Sequence, residues 1–270
     1  MHNTTRLILL LCSSLFAACN NAPESQNAAN PTAAETITRS PEALRKTYTE
    51  QLTRQKSPLP IKQTQSAGKL YPVDEAPLDT AFFVFRQDLL DIVARKDAHT
   101  LLAYVDPHIK CGFGAENGMP DFVRQWNLDN PTEAAQSPLW QHLESVLQHG
   151  GVFDATRKRF SAPYVAATFP DKYDALDHGA IIAKEVRMRE GAGLGGKVIK
   201  NISYEIVKIL ERSATEDVID GRSYPWFKVR TTGGTEGWVY GQFVGLPAGF
   251  RANFEQQGSQ WRMVLFLAGD

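Results

Sequence analysis

Hydrophobic and polar positions divide the chain into stretches of different texture, and the first of these is short. The basic residue Arg6 precedes an apolar run over residues 7–11, and small residues at 17–18 stand directly before Cys19. This order is typical of an export signal that is cleaved from the mature protein. The apolar run is well short of the roughly 20 residues of a membrane-spanning helix. Residues 1–18 are therefore predicted to be a signal peptide.

A polar stretch follows the predicted signal. It is rich in proline, asparagine and glutamine and has little apolar surface to bury, which predicts a flexible tether over residues 19–77. Inside this stretch, residues 41–48 carry the signals of a short helix, with Ser40 as the N-cap and Pro41 in the first turn. A tether of this length would hold a folded body away from its point of attachment.

Helical periodicity begins at Thr80. Apolar residues recur at intervals of three and four up to Arg95, which predicts an amphipathic helix, and Asp97 is placed to cap a short second helix that Pro107 ends. Four further elements are predicted downstream: strand 109–114, helix 121–126, helix 138–147 and strand 160–167. Helices that precede strands favour an α+β domain.

Beyond His178 the pattern changes to short runs in which apolar and polar residues alternate between glycine turns. Strands are predicted at 180–183, 186–193, 197–199, 204–210, 226–230 and 237–240. The sequence Thr-Thr-Gly-Gly at 231–234 predicts a hairpin turn. Short strands joined by such turns predict a small closed β-barrel.

The last stretch contains two apolar runs, over residues 249–255 and 261–268, separated by a short turn. An isolated hairpin is marginally stable in water, so this hairpin needs a sheet to cover its apolar face. We therefore predict a split α+β domain, residues 78–175 plus 247–270, with the small barrel of residues 176–246 inserted into it. Because the ends of a barrel lie close together, such an insertion costs little loop entropy.

Four runs of the barrel segment follow one another in a fixed order: Val186–Gly191, Trp226–Val229, Gly237–Val239 and Phe243–Val244. In this order they resemble the bacterial SH3 (SH3b) domain. The resemblance covers residues 176–246 and implies an SH3-like β-barrel that binds a cell-wall component such as peptidoglycan, or an envelope protein. Residues 217–224 depart from the family pattern because the loop before Trp226 is longer than usual.

Aromatic residues of the barrel segment are the candidate ligand-binding residues: Trp226, Tyr240 and Phe243. Such rings supply a large contact area at a small entropic cost. A place in the core is the alternative for Trp226 and Tyr240. Trp238, which follows Gly237 on an alternating strand, is predicted to be a core residue.

The helix pair and the strands that end in the C-terminal hairpin are weakly similar to NTF2-like domains. This similarity implies a cone-shaped α+β fold, and domains of this shape often hold a cavity. It provides an alternative function, in which the α+β domain has a pocket that binds or converts a small molecule.

The net charge argues against nucleic-acid binding, and the cysteine content argues against an internal disulfide bond. The formal net charge is −1, so no basic surface for nucleic acid is predicted. Of the three cysteines, Cys12 lies in the predicted signal, and Cys111 is left without a partner for a disulfide.

The residues around the third cysteine, Leu15–Asn20, resemble a bacterial lipoprotein signal. The resemblance implies that Cys19 carries lipid and anchors the mature protein in a membrane. Because Asn20 stands where aspartate would favour the inner membrane, we expect the outer membrane, facing the periplasm, in a Gram-negative host. The alternative is an ordinary signal peptide, since Phe16 occupies a position that is usually aliphatic in lipoprotein signals.

Motifs of enzymatic chemistry are not visible in the sequence. The histidines are scattered, and the glycine-rich runs 112–114 and 191–196 lack the lysine and hydroxyl of a phosphate loop. We predict no catalytic residue, no metal site and no cofactor. The leading prediction is a non-enzymatic envelope lipoprotein whose barrel binds a cell-wall component or a protein partner; a purely structural role is a further alternative.

Overall fold

The computed structural model describes residues 40–55 and 67–269. The predicted signal peptide and Cys19 lie outside the described residues. In the two described ranges, no helix combines the length and the apolarity needed to cross a membrane. The helices in chain order are α1 (Pro41–Gln55), α2 (Thr80–Arg95), α3 (Ala98–Leu102), α4 (Met119–Gln125), α5 (Pro131–Gln136), α6 (Leu139–Gln148) and α7 (Tyr164–Thr168).

Helix starts follow local capping signals. Ser40 Oγ accepts a hydrogen bond from the Ala43 amide at 3.2 Å at the start of α1, and Asp97 Oδ1 accepts one from the Thr100 amide at 3.0 Å at the start of α3. Each cap satisfies an amide that has no partner inside the helix. The bounds of α2 agree with the prediction, and both predicted caps are confirmed.

The strands in chain order are β1 (Val105–Lys110), β2 (Val152–Phe153), β3 (Arg159–Ala162), β4 (His178–Ile181), β5 (Val186–Arg189), β6 (Val198–Ile202), β7 (Ile206–Ile219), β8 (Arg222–Thr231), β9 (Glu236–Tyr240), β10 (Val244–Gly245), β11 (Arg251–Gln257) and β12 (Gln260–Leu267). They form two sheets. The first has the order β1-β12-β11-β3-β2, and the second has the order β10-β4-β7-β8-β9-β5-β6. Helices with curled, mainly antiparallel sheets confirm the α+β fold class.

The C-terminal hairpin lies inside the first sheet. Strand β12 pairs in parallel with β1, and β11 pairs antiparallel with β3, so the hairpin occupies central positions between strands that precede the barrel in sequence. This strand order supports the split-domain division, whose boundaries stay a prediction.

Two prolines change the predicted strand ends. Pro107 was expected to stop a helix, but it lies within β1, which is an edge strand of the first sheet. An edge strand tolerates proline because one side of its backbone needs no partner. Pro163 ends β3 and stands at the N-cap of α7, so the strand predicted over 160–167 is wrong beyond Ala162.

Aromatic side chains fill the space between α2 and the first sheet. The Phe82 ring is fully buried, and its centroid lies 4.3 Å from that of Phe160, 5.6 Å from that of Phe254 and 4.9 Å from that of Trp261. Burying rings of this size stabilises the fold by roughly 1.5–3 kcal/mol each. The second sheet has its own core of aliphatic residues around Met188, Val229 and Val239.

Residues 67–77 differ from the prediction of a flexible tether, because they pair with both sheets. At one end, the Ile206 amide donates to Gly68 O at 2.9 Å and the Leu70 amide donates to Tyr204 O at 2.8 Å. Leu70 is 1% exposed and lies in a small core with Tyr164 and Val165 of α7 and with Ala180 and Ile206 of the second sheet. The tether prediction is therefore wrong for these residues.

The other end of this segment joins the first sheet. The Glu75 amide donates to Gly151 O at 2.9 Å, beside β2. The Arg86 guanidinium of α2 donates to both carboxylate oxygens of Asp74, at 2.6 and 2.7 Å, and its side chain is 3% exposed. A bidentate pair of this kind is a strong polar contact and fixes direction as well as distance. Residues 67–77 thus connect the two sheets by backbone pairing and a buried ion pair.

Candidate functional site

Cross-strand pairing places the aromatic residues of the barrel segment in one row. Trp226 on β8 is paired with Tyr240 on β9, and Lys228 is paired with Trp238 two positions further along. Residues that alternate on neighbouring strands point to the same face of a sheet. The row therefore lies on the face opposite to Val229 and Val239, which belong to the core of the second sheet.

The end of the β7–β8 hairpin, residues 212–224, covers one end of this row; we call it the arm. It contains the residues that depart from the SH3b pattern, and they form a continuous hairpin rather than an irregular loop. Its turn is at Asp220–Gly221, where both residues have positive φ (52° and 75°). Aspartate and glycine adopt this conformation most readily, which is why Asp-Gly favours a two-residue hairpin turn.

A bulge bends the arm over the aromatic row. Arg212 is paired with Phe227 and Glu216 with Pro225. Three residues of β7, 213–215, therefore lie opposite a single residue of β8, Trp226. The first of the three, Ser213, accepts a hydrogen bond from the Trp226 amide through its Oγ at 2.9 Å. Bulges of this kind bend a strand and redirect its side chains.

Trp226 and Tyr240 are buried beneath the arm. Their exposed fractions are 3% and 4%, and their ring centroids are 5.4 Å apart. Trp226 Nε1 donates to Asp217 Oδ2 at 2.7 Å, and the Tyr240 hydroxyl lies 2.9 Å from the carbonyl oxygen of Asp217 and 2.5 Å from that of Arg222. Burial raises the pKa of Tyr240, so its hydroxyl remains a hydrogen-bond donor. A ligand reaches these two rings only if the arm moves.

The other two aromatic residues are less buried. Phe243 lies in a 3₁₀ turn, Gly241–Phe243, and packs partly against the core of the second sheet, 6.4 Å from the Tyr240 ring. Trp238 is half-buried and lies outside that core. The expectation that Trp238 is a core residue is wrong, because alternation does not indicate which face of a strand the rest of the protein covers. The binding roles of Trp226, Tyr240 and Phe243 stay a prediction.

The glycine-rich loop between β5 and β6, residues 190–197, also approaches the row. Arg189, which is paired with Trp238, donates from Nη1 to Leu194 O at 3.0 Å and to Gly196 O at 2.7 Å. A Cβ at Gly193 would lie 3.9 Å from Asp217 Oδ2, so the loop passes beside the tip of the arm.

Two apolar side chains are exposed, one on the loop and one on the arm. Leu194 follows Gly193 and is 60% exposed, and Val218 follows Asp217 and is 71% exposed. We call this pair the loop–arm patch. Val198 and Ile199 on β6 are also exposed, at 40% and 42%. The loop, the arm and β6 thus each carry exposed apolar side chains.

Groups that support metal binding or nucleophilic chemistry are sparse. Within residues 40–55 and 67–269, no three His, Cys, Asp or Glu side chains converge to hold a metal ion. Cys111 is 5% exposed, and burial, with a smaller effect of Asp121, raises the pKa of its thiol. A buried, protonated thiol is a poor nucleophile.

Comparison with known proteins gives one match. The family model of the bacterial SH3 domain matches residues 184–245. Neither the curated proteins nor the solved structures contain a match to this chain. The matched range begins just before β5 and ends with β10, and it contains the glycine-rich loop, the arm and all of the aromatic row. The predicted resemblance is confirmed: residues 184–245 are similar to the bacterial SH3 domain.

Proposed function

We propose that this protein is a non-enzymatic envelope lipoprotein whose SH3-like barrel binds a cell-wall component or an envelope protein. The observation that carries the proposal is the loop–arm patch, because its two residues are exposed apolar side chains within the matched range. Leu194 and Val218 are its centre. Trp226 and Tyr240 lie beneath the arm that carries Val218.

Peptidoglycan is the wall component that we propose as the first ligand to test. Full-length protein with Cys19→Ala would be incubated with intact sacculi and sedimented. We expect the wild-type barrel to sediment and the double variant Leu194→Ser, Val218→Ser to stay largely in the supernatant. Loss of two anchor residues should weaken binding by about tenfold or more.

The matched control is Leu176→Ser, which removes an exposed apolar side chain (70% exposed) that lies outside the matched range. It should sediment like the wild type. If the wild type does not sediment, the wall-binding form of the proposal fails and a protein partner becomes the candidate. Equal sedimentation of all three proteins would instead remove the loop–arm patch as the binding surface.

Lipid attachment at Cys19 is the second part of the proposal. The small residues before Cys19 support it, and Asn20 supports the outer membrane as the destination. Mass spectrometry of the mature N-terminus should find a lipidated Cys19, and Cys19→Ala should release the protein to the soluble envelope fraction. An unmodified N-terminus at another residue would contradict this part without affecting the binding test.

The alternative, a pocket inside the α+β domain, has less support. The space between α2 and the first sheet is filled by aromatic rings: the centroids of Phe160, Phe254 and Trp261 lie 4.3, 5.6 and 4.9 Å from that of Phe82. A ligand would have to displace these rings. We therefore prefer a binding function on the surface of the barrel.

A further inference from the structure

A second candidate site lies away from the loop–arm patch, in a cleft between helix α6 and the arm. Its volume is about 530 Å³, and the floor is formed by the edge of the second sheet. Two contacts tie its walls together: Arg222 of the arm lies 3.2 Å from Glu144 of α6, and Gln141 Nε2 donates to Ser223 O at 3.2 Å. The width of the cleft is thereby held by side chains from both walls.

The charged groups that line the cleft neutralise one another. Arg212 lies 3.1 Å from Glu216, and Glu216 also accepts a hydrogen bond from the Ser223 hydroxyl at 2.9 Å. Burial lowers the pKa of His142 and His149, which leaves both imidazoles neutral at pH 7; Glu216 opposes this shift for His142, and Arg222 adds to it for His149. The cleft therefore has no net charge with which to attract an ion.

Several polar side chains that line the cleft have donor or acceptor groups available to a ligand. Across the described ranges, His142 and Gln242 make no side-chain hydrogen bond, and their polar atoms keep access to solvent. His149 Nδ1 lies 2.5 Å from Ser145 O and donates to it, so Nε2 of the neutral ring is left as an acceptor. Planar donors and acceptors thus converge on the cleft from α6 and from the 3₁₀ turn.

Flat apolar surfaces lie beside these polar groups. The His142 ring is stacked on Phe250 with a centroid distance of 4.1 Å and an interplanar angle of 27°. Tyr224 and Pro225 line the opposite wall. A sugar ring matches such a lining, because its faces consist of C–H groups that pack on rings and its edges carry hydroxyl groups that need planar donors and acceptors.

We propose that this cleft binds an uncharged saccharide, with one sugar ring packed on the His142–Phe250 pair and its hydroxyl groups bonded to Gln242 and His149 Nε2. A volume of about 530 Å³ falls within the range of about 300–1,000 Å³ that small-molecule sites occupy. The saccharide would contact both the α6 wall and the arm. Its binding does not depend on the loop–arm patch, since neither Leu194 nor Val218 lines the cleft.

The test is a calorimetric titration of the full-length Cys19→Ala protein with four soluble disaccharides. Cellobiose and the β1,4-linked disaccharide of N-acetylglucosamine are uncharged; the glucosamine disaccharide is cationic and the galacturonic acid disaccharide is anionic. We expect an uncharged probe to bind and both charged probes to bind at least about tenfold more weakly, because the cleft cannot compensate a buried charge. The proposal would be overturned if neither uncharged probe bound at millimolar concentration. It would also be overturned if a charged probe bound more tightly than the uncharged ones.

Variants locate the binding. Gln242→Ala should weaken binding by about fivefold to tenfold, the usual effect of one lost hydrogen bond. His142→Ala should weaken binding by a similar factor, because it removes a ring on which the sugar packs. His99→Ala, an exposed histidine on α3, should leave affinity unchanged. Gln242 lies on a short turn and makes no hydrogen bond that the fold needs, so it remains informative if His142→Ala fails to fold. Unchanged affinity in Gln242→Ala and His142→Ala would show that the probe binds elsewhere.

The Leu194→Ser, Val218→Ser protein separates this proposal from the proposed function. It should lose sacculus binding but keep saccharide affinity, whereas Gln242→Ala should lose saccharide affinity and still sediment. Loss of both activities in either protein would contradict two separate sites.

Discussion

Trp226 Nε1 donates a 2.7 Å hydrogen bond to Asp217 Oδ2, and this contact holds the tip of the arm against the sheet. Trp226 is 3% exposed, so its indole N–H group donates to the Asp217 carboxylate instead of to water. An unpaired buried donor is costly, and a carboxylate acceptor is stronger than a neutral one. The contact explains why Trp226, which the sequence marks as a candidate ligand-binding residue, lies buried beneath the arm.

Removal of this acceptor should loosen the arm. We expect Asp217→Ala to lower the free energy of unfolding by about 1–3 kcal/mol, because a buried indole N–H is left without its partner. Acrylamide should also quench the fluorescence of Trp226 more strongly. Comparison with Trp226→Phe would show that the additional quenching comes from this residue. The control is Glu211→Ala, an exposed carboxylate on the same strand. Equal quenching in Asp217→Ala and the wild type would show that the arm stays closed without the carboxylate.

The ion pair between Asp74 and Arg86 should matter more than a surface pair. Asp74→Ala leaves the Arg86 guanidinium, 3% exposed, without its bidentate carboxylate. We expect a loss of about 3 kcal/mol, near the lower end for breaking a buried pair because Asp74 is 27% exposed. The control is the surface ion pair of Arg124 with Asp121, in which the Arg124 side chain is 68% exposed. Arg124→Ala should lower the free energy of unfolding by about 0–1 kcal/mol. Urea unfolding compares the two; similar losses would show that residues 67–77 contribute little to stability.

Stability should fall on mild acidification because of His142 and His149. Burial lowers the pKa of both side chains below the unfolded value of about 6.5. Between the folded pKa values and about pH 6.5, the unfolded chain binds more protons than the folded one. The free energy of unfolding is therefore highest above this pH window and decreases as the pH falls through it.

Urea unfolding between pH 8 and pH 5 measures this slope. Replacement of both histidines by glutamine should flatten it, whereas replacement of the exposed His99 should not. A slope that stays the same in the double variant would assign the acid sensitivity to other groups.

The central hairpin should be indispensable to the first sheet. Phe254→Ala removes a fully buried ring between Phe82 and Phe85 and should cost about 3–5 kcal/mol. Phe113→Ala, at a position that is 52% exposed, should change the free energy of unfolding far less.

Truncation is the stronger form of the same experiment. A chain that ends at Leu246 lacks β11 and β12 altogether, and the lost burial exceeds what a total stability of about 5–15 kcal/mol can absorb. We expect it to give no cooperative melt of the first sheet. An undiminished cooperative transition would mean that the sheet folds without its two central strands.

Local chemistry explains what the sequence determined. The bounds of α2, the caps by Ser40 and Asp97, the turn at 231–234 and the C-terminal hairpin all depend on residues within a few positions of one another. Helical period, capping side chains and turn glycines act at this range, so the sequence alone predicts them. The match of residues 184–245 rests on motifs of the same kind.

Long-range packing decided the rest. The register of β8 with β9 places Trp226, Trp238 and Tyr240 on one face, and the bent arm determines which of them are buried. Leu70 lies in a stretch with few apolar residues, and it enters the core because its backbone pairs with Tyr204, more than a hundred residues away. The cleft beside α6 likewise requires two elements that the sequence separates. Such contacts depend on how elements meet in space, which no short window of sequence contains.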